Sequence, residues 1–339
     1  MKKIESYTAH KQEGILLNAN ENSNNVSSTL LEEMKKGMED VLFNRYPDDD
    51  CTELLEAYSK YVHIDANQIL CGNGSDQMLG LMIGYYLGKG KTLYTIRPDF
   101  SMYDYYATSY EANILKYECE EDGSFDIDSF IEMGLKNDVK LVIFSNPNNP
   151  TGHFLSNEEC IKIVEGFKGI PVIVDEAYVE FAKESMVSFV NQYDNLFVTR
   201  TLSKAFGFAG MRCGFLCGPK QAMRELKASK VPYALSSLTM KLSTILLSHV
   251  DEYKQSIVDI KKRRDALISK PYKKIKIYPS QGNFVMVRTE DNDVCLKLFE
   301  ENNIVLRTYK NCDYFRITIG NEEEMKIVES ILDAYDKEA

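Results

Sequence analysis

Six short apolar runs constrain this chain more than any other feature: KTLYTI, EANILKYE, KLVIFSNP, PVIVDEAY, NLFVTRTL and RCGFLCG. Each is rich in Val, Ile, Leu or Phe, and most are separated by helix-length intervals. Strands that alternate with helical segments predict βαβ units and a largely parallel sheet. TLLEEMKKGMEDV (29–41), CTELLEAYSKYV (51–62) and residues 76–87 read as helices, and one long helical stretch spans about 235–267. Beyond it NFVMVR, IVLRTY and YFRITIG read as antiparallel strands, with helices at about 293–301 and 322–335. The chain therefore divides into a large α/β domain, residues 31–240, and a small α+β domain made of residues 1–30 and 241–339. At 339 residues, two domains are the prior expectation.

Composition narrows the function. A net charge of −11 argues against nucleic acid as a partner, since phosphate binding needs a basic surface. No run approaches the ~18 apolar residues of a membrane helix, and the N-terminus has no apolar core after its lysines, so a cytoplasmic protein is expected. The eight cysteines form no CxxC pair and the four histidines form no ligand cluster, so no metal site is expected. KGKT at 89–92 lacks the upstream glycine of a P-loop and leads into a strand.

In α/β sheets of this kind ligands gather outside the carboxyl ends of the strands, so the residues there carry the argument. CGNGSDQ runs from a strand into a glycine-rich turn and a helix, where Gly74, Ser75 and Asp76 could cradle a phosphate, with Ser75 or Asp76 at the cap. NPNNPTG (146–152) aims amides from an irregular turn. Asp175 ends an almost wholly apolar strand; it either caps the following turn or meets a cation, because a buried carboxylate is costly alone. Its neighbour Glu176 reads as solvated, and Tyr178 falls on the same side if the turn is helical. Lys204 stands among Phe206, Phe208, Ala209 and Met211, and an apolar setting makes a lysine an amine nucleophile. A carbonyl for Lys204, a protonated ring nitrogen for Asp175, and a phosphate for residues 74–76, Ser203 and Arg212 are all supplied by pyridoxal 5′-phosphate.

LNANEN (17–22), NRYPD (44–48), GNGSDQ (72–77), NPNNPTG, DEAY (175–178), RTLSKAFGFAGMRCGF (200–215), QGNFV (281–285) and FRITIG (315–320) occur together in this order. In this the chain resembles the fold-type-I, pyridoxal-phosphate-dependent aminotransferases of class I/II over nearly its whole length. NRYPD and RTLSKAF…AG.RCGF look most like their histidinol-phosphate aminotransferase branch. The resemblance implies an α/β large domain with a mostly parallel seven-stranded sheet, a small α+β domain and a homodimer with shared sites. It implies that Lys204 holds the cofactor covalently and moves the proton between substrate Cα and cofactor C4′. Asp175 would keep the ring nitrogen protonated, and Asn149 and Tyr178 would bond the ring O3′. Ser75, Asp76, Thr201, Ser203 and Arg212 would hold the phosphate, and Phe100 would stack on the ring. Tyr46 would reach the phosphate in the neighbouring subunit, Arg316 would grip a substrate carboxylate with Asn283 in support, and Arg307 would meet a substrate phosphate. Asn22 falls in the segment over the substrate. Where such enzymes continue LNANEN with a proline, this chain has SNNVSS, which alters the lid. The reaction implied is amino transfer from L-histidinol phosphate to 2-oxoglutarate. The alternatives on the same scaffold are threonine-phosphate decarboxylation and aromatic amino-acid transamination.

Overall fold

The structure, a computed structural model, describes residues 13–337. The N-terminal residues 1–12, part of the expected small domain, lie outside the described residues. The chain opens with β1 (Ile15–Leu17), then α1 (Ser28–Glu39) and α2 (Thr52–Val62). The βα alternation follows: β2 (Ile69–Asn73), α3 (Gly74–Tyr86), β3 (Thr92–Arg97), α4 (Met102–Ser109), β4 (Asn113–Glu118), α5 (Ile127–Lys136), β5 (Leu141–Ser145), α6 (Asn157–Gly166) and β6 (Val172–Asp175). After β7 (Leu196–Thr201) and β8 (Cys213–Cys217) come α7 (Lys220–Ser229), α8 (Ser237–Ser248) and α9 (Tyr253–Ile268). The chain ends with β9 (Ile275–Ile277), β10 (Phe284–Thr289), α10 (Asn292–Glu301), β11 (Ile304–Thr308), β12 (Phe315–Thr318) and α11 (Glu322–Lys337).

Seven strands form one sheet in the order β2-β8-β7-β6-β5-β3-β4. Only β8 runs against its neighbours; the pairs among β3 to β7 are parallel. Helices cover both faces, so β5, β6 and β7 are buried throughout, which is why their text is nearly all apolar. The register sets Ser145 beside Asp175 and Asp175 beside Thr199, so three polar side chains meet at one sheet edge. A second, five-stranded sheet has the order β1-β11-β12-β10-β9, antiparallel except where β1 joins β11. The N-terminal segment thus enters the sheet built from the C-terminal part, and Asn18 to Asn22 leave it toward the large sheet.

One helix reading is corrected. The expected helix over 235–267 is two, α8 and α9, because the chain turns at His249. His249 is held there between Glu33 Oε2 and Glu252 Oε1, 2.8 Å from each. The boundaries at 30/31 and 240/241 fall inside α1 and α8, which pack on each other and on the α2 side of the large sheet. We propose instead that the division lies before α1 and at the turn 249–252.

Beneath the sheet Glu176 is 1% exposed, not solvated. Arg200 lies 3.3 Å from Glu176 and 3.7 Å from Glu180, and both acids are pushed up by burial, Glu176 to about 7. Glu176 also accepts from Ser185 Oγ and the Met186 amide. Removing the cation from such a cluster leaves buried carboxylates uncompensated. Arg200→Ala should therefore lower stability by about 3–5 kcal/mol in chemical denaturation at neutral pH.

Candidate active site

The loops at the carboxyl edge of the large sheet enclose a cleft lined by Ser75, Asp76, Phe100, Ser145, Asn149, Asp175, Ala177, Tyr178, Thr201, Ser203, Lys204 and Arg212. At one end α3 begins at Gly74 with no side-chain cap. Ser75 and Asp76 are thus first-turn residues and not caps as expected, and the first-turn amides have no capping side chain. The cup admits no extra atom: a Cβ on Gly214 would sit 2.0 Å from the Ser75 amide nitrogen. Gly74, with φ +77°, brings its amide within 2.7 Å of the Arg212 carbonyl. Arg212 Nη2 lies 2.9 Å from Asp76 Oδ2. Thr201 and Ser203 complete this end, with their hydroxyls 2.9 Å apart.

On the cleft floor Asp175 is buried at the end of β6. Its carboxylate accepts from Tyr103 Oη (2.8 Å) and Thr199 Oγ1 (2.9 Å). Burial raises it to about 6, and these hydroxyls pull it back. The backbone amide of Ala177, in the following turn, lowers it as well. Lys204 Nζ donates to the Ala19 carbonyl at 2.7 Å and stands 6.0 Å from the Tyr178 ring centroid. Burial, then the charge of Arg316, lower Lys204 to about 8. The neutral amine is therefore far more populated near physiological pH than on an exposed lysine, although the ammonium form still predominates.

The other end of the cleft is a polar network. Arg316, on β12, is 5% exposed. Its guanidinium donates to Asn149 Oδ1 and to the Asn18 carbonyl, and its buried Nε has no partner. Asn20 donates to Tyr178 Oη at 3.0 Å and exchanges hydrogen bonds with Thr318. Burial pushes Tyr178 up to about 12. Asn283 donates to the Asn20 carbonyl, and its own Oδ1 has no partner. Of the asparagines in NPNNPTG, Asn146 and Asn148 staple the turn to Leu155 and Thr151; only Asn149 faces the cleft.

The cleft thus brings together Lys204, Asp175, Tyr178, Asn149, Phe100 and the expected phosphate set, with Arg316 bonded to Asn149. It does not include Tyr46, which is 82% exposed and stacks on Tyr233. Asn22 does not line it either; its amide donates to the Ala205 carbonyl, beside Lys204. Arg307 lies on β11 directly opposite Arg316, so the two share a sheet face. Sequence reasoning missed Tyr103, Thr199, Ser145 and Asn20. Asn20 lay inside LNANEN, and Ser145 and Thr199 lay inside the strand runs KLVIFSNP and NLFVTRTL, where nothing marked them apart from their apolar neighbours.

The model of the family described as Aminotransferase class I and II matches residues 12–331 of the 339. The chain belongs to that family. This aminotransferase is 38% identical, over 334 residues, to the histidinol-phosphate aminotransferase of Clostridium kluyveri, covering 97% of this chain and 95% of that one. Its fold matches the histidinol-phosphate aminotransferase structure from Clostridium acetobutylicum with a TM-score of 0.86 at 22% identity, covering 96% of this chain and 100% of that one. It matches the Sinorhizobium meliloti histidinol-phosphate aminotransferase, solved with pyridoxal-5′-phosphate, at 0.85 and 19% identity over 95% and 91%.

The residues present fit pyridoxal 5′-phosphate, the cofactor of this aminotransferase family. The glycine cup excludes a Cβ, the uncapped α3 amides suit a phosphate, and Asp175 has hydroxyl donors but no basic partner among the described residues. Two outcomes follow. Gly214→Ala should weaken cofactor retention by tenfold or more while far-ultraviolet circular dichroism stays native. Acetylation of Lys204 in cofactor-free protein, read by mass spectrometry, should rise with a midpoint near pH 8, well below that of the exposed lysines.

Proposed function

We propose that the chain transfers the amino group of L-histidinol phosphate to 2-oxoglutarate, giving imidazole acetol phosphate and glutamate. The observation that carries this reading is the placement of Arg307 directly opposite Arg316 on adjacent strands, with Arg316 bonded to Asn149 of the cleft. A site serving both substrates must accept a carboxylate from glutamate and a phosphate ester from histidinol phosphate. Two arginines on one face supply forks for both. The extent of likeness to relatives named for this activity supports the same choice over the decarboxylase and aromatic aminotransferase readings.

Bound pyridoxal phosphate supplies an electron sink for the carbanion formed at the substrate Cα. The chain's own groups do the rest. Lys204 Nζ removes the Cα proton and delivers a proton to C4′, a task suited to an amine titrating near 8. Asp175 keeps a proton on the ring nitrogen. Asn149 and Tyr178 hold the O3′ side, and Phe100 covers one ring face. The 74–76 turn, Thr201, Ser203 and Arg212 hold the phosphate. Arg316 binds the glutamate carboxylate, Arg307 binds the histidinol phosphate ester, and Asn283 supports the network through Asn20.

The protein acts as a cytoplasmic homodimer in this reading. Tyr46 is exposed and stacks on the exposed Tyr233, and Leu42, Phe43 and Val231 nearby in sequence are exposed too; a second subunit would cover apolar surface of this kind. In the dimer Tyr46 reaches the partner's cofactor phosphate.

Lys204→Ala should abolish turnover while the protein stays folded; residual turnover above ~0.1% of wild type would reject the assignment. Arg307→Ala should raise the KM for L-histidinol phosphate at least tenfold and that for glutamate far less. Equal effects on both would remove Arg307 from phosphate binding. Glutamate formation from L-histidinol phosphate and 2-oxoglutarate tests the reaction itself, and carbon dioxide release from O-phosphothreonine would replace it with decarboxylation.

A further inference from the structure

Immediately before Phe100 stands a carboxylate that the reaction above does not use. Asp99 accepts from the Phe100 amide (2.7 Å), from the Ser145 amide (3.1 Å) and from the Ser145 hydroxyl. Ser145 Oγ has one proton, and it points at Asp99. Its lone pairs are then free to accept from the Asn149 amide at 3.0 Å and from Asn148 Nδ2 at 3.3 Å. Asn149 Oδ1 in turn takes the Arg316 guanidinium. One chain of hydrogen bonds therefore runs from β3 through the end of β5 to β12.

We propose that ionised Asp99 is a positioning residue for amino transfer: by orienting the Ser145 hydroxyl it fixes Asn149, and through Asn149 the carboxylate-binding Arg316. This rests on the proposed function. Every contact of Asp99 is with a donor, so the arrangement suits the carboxylate and not the acid. A protonated Asp99 would offer its own O–H to Ser145 Oγ and compete with the Asn149 amide. The titratable groups facing it are Asp175 on β6, Tyr103 on α4 and Cys119 after β4. Each is neutral or anionic, and burial pushes Asp99 up to about 7. The switch between the two arrangements thus falls near neutral pH.

The test compares wild type, Asp99→Asn, Ser145→Ala and the double variant as cofactor-loaded proteins. Wild-type kcat/KM for glutamate should show an acid limb with a midpoint near pH 7, and Asp99→Asn should lose that limb. Asp99→Asn should raise the KM for glutamate about tenfold with a smaller change in kcat. In the Ser145→Ala background it should add less than twofold. A second readout needs no turnover. Asp99 binds its proton more tightly when folded than when unfolded, so its contribution to stability is greatest at low pH and is lost as pH rises through about 7. The difference in urea midpoint between wild type and Asp99→Asn should change across pH 5–8 accordingly. Additive kinetic effects, or an unchanged limb and KM, would overturn the proposal. A wild type inert to every amino donor would reject the function instead; a pH-independent midpoint difference would then still reject Asp99 as the titrating group.

Discussion

A carboxylate at the bottom of an apolar sheet organises this site. Asp175 ends β6 in a layer where β5, β6 and β7 are buried along their whole length. Two hydroxyls, from Tyr103 and Thr199, satisfy part of its hydrogen-bonding capacity but supply no positive charge. A buried charge in that position is stable only when a cation completes it. A protonated pyridine nitrogen is such a cation. Once it is seated there, the ring's other substituents fall in the proposed arrangement toward Lys204, the α3 cup and the Asn149–Tyr178 side.

The same apolar surroundings act with opposite sign on opposite charges. Burial raises Asp175 and lowers Lys204, bringing both toward neutral pH from either side. For Lys204 that places the amine near the pH at which a general base works best. The adjacent Glu176–Arg200–Glu180 cluster shows the contrast. There the cation is supplied by the chain itself, and the group is structural. Asp175, the last residue of β6, and Glu176, which follows it, thus differ: the chain supplies an arginine to Glu176 and no cation to Asp175 among the described residues.

Much of this was legible in the sequence because the signals are local. The parallel sheet was written in the uninterrupted apolar runs, and Lys204, Asp175 and Asn149 stood at or beside strand ends, where ligands gather in such sheets. What was not legible depends on contacts between distant segments. Glu176 looked solvated because its partner Arg200 is on another strand. Tyr103 gave no hint of reaching Asp175, since its helix is defined only by where β3 delivers the chain. Asn20 joins Tyr178 and Thr318, far apart in sequence, and only the entry of β1 into the second sheet makes that possible. The break between α8 and α9 was hidden because no Pro or Gly marks it; His249, bridged by Glu33 and Glu252, holds it.

The most direct test of this account is the protonation state of the cofactor ring nitrogen. Pyridoxal phosphate labelled with nitrogen-15 in the ring, bound to the protein, should show the chemical shift of a protonated pyridine from pH 6 to 9 in wild type. In Asp175→Asn it should show that of the neutral ring. A neutral ring nitrogen in the wild-type protein would contradict the central claim, because the buried carboxylate would then have some other reason to be there.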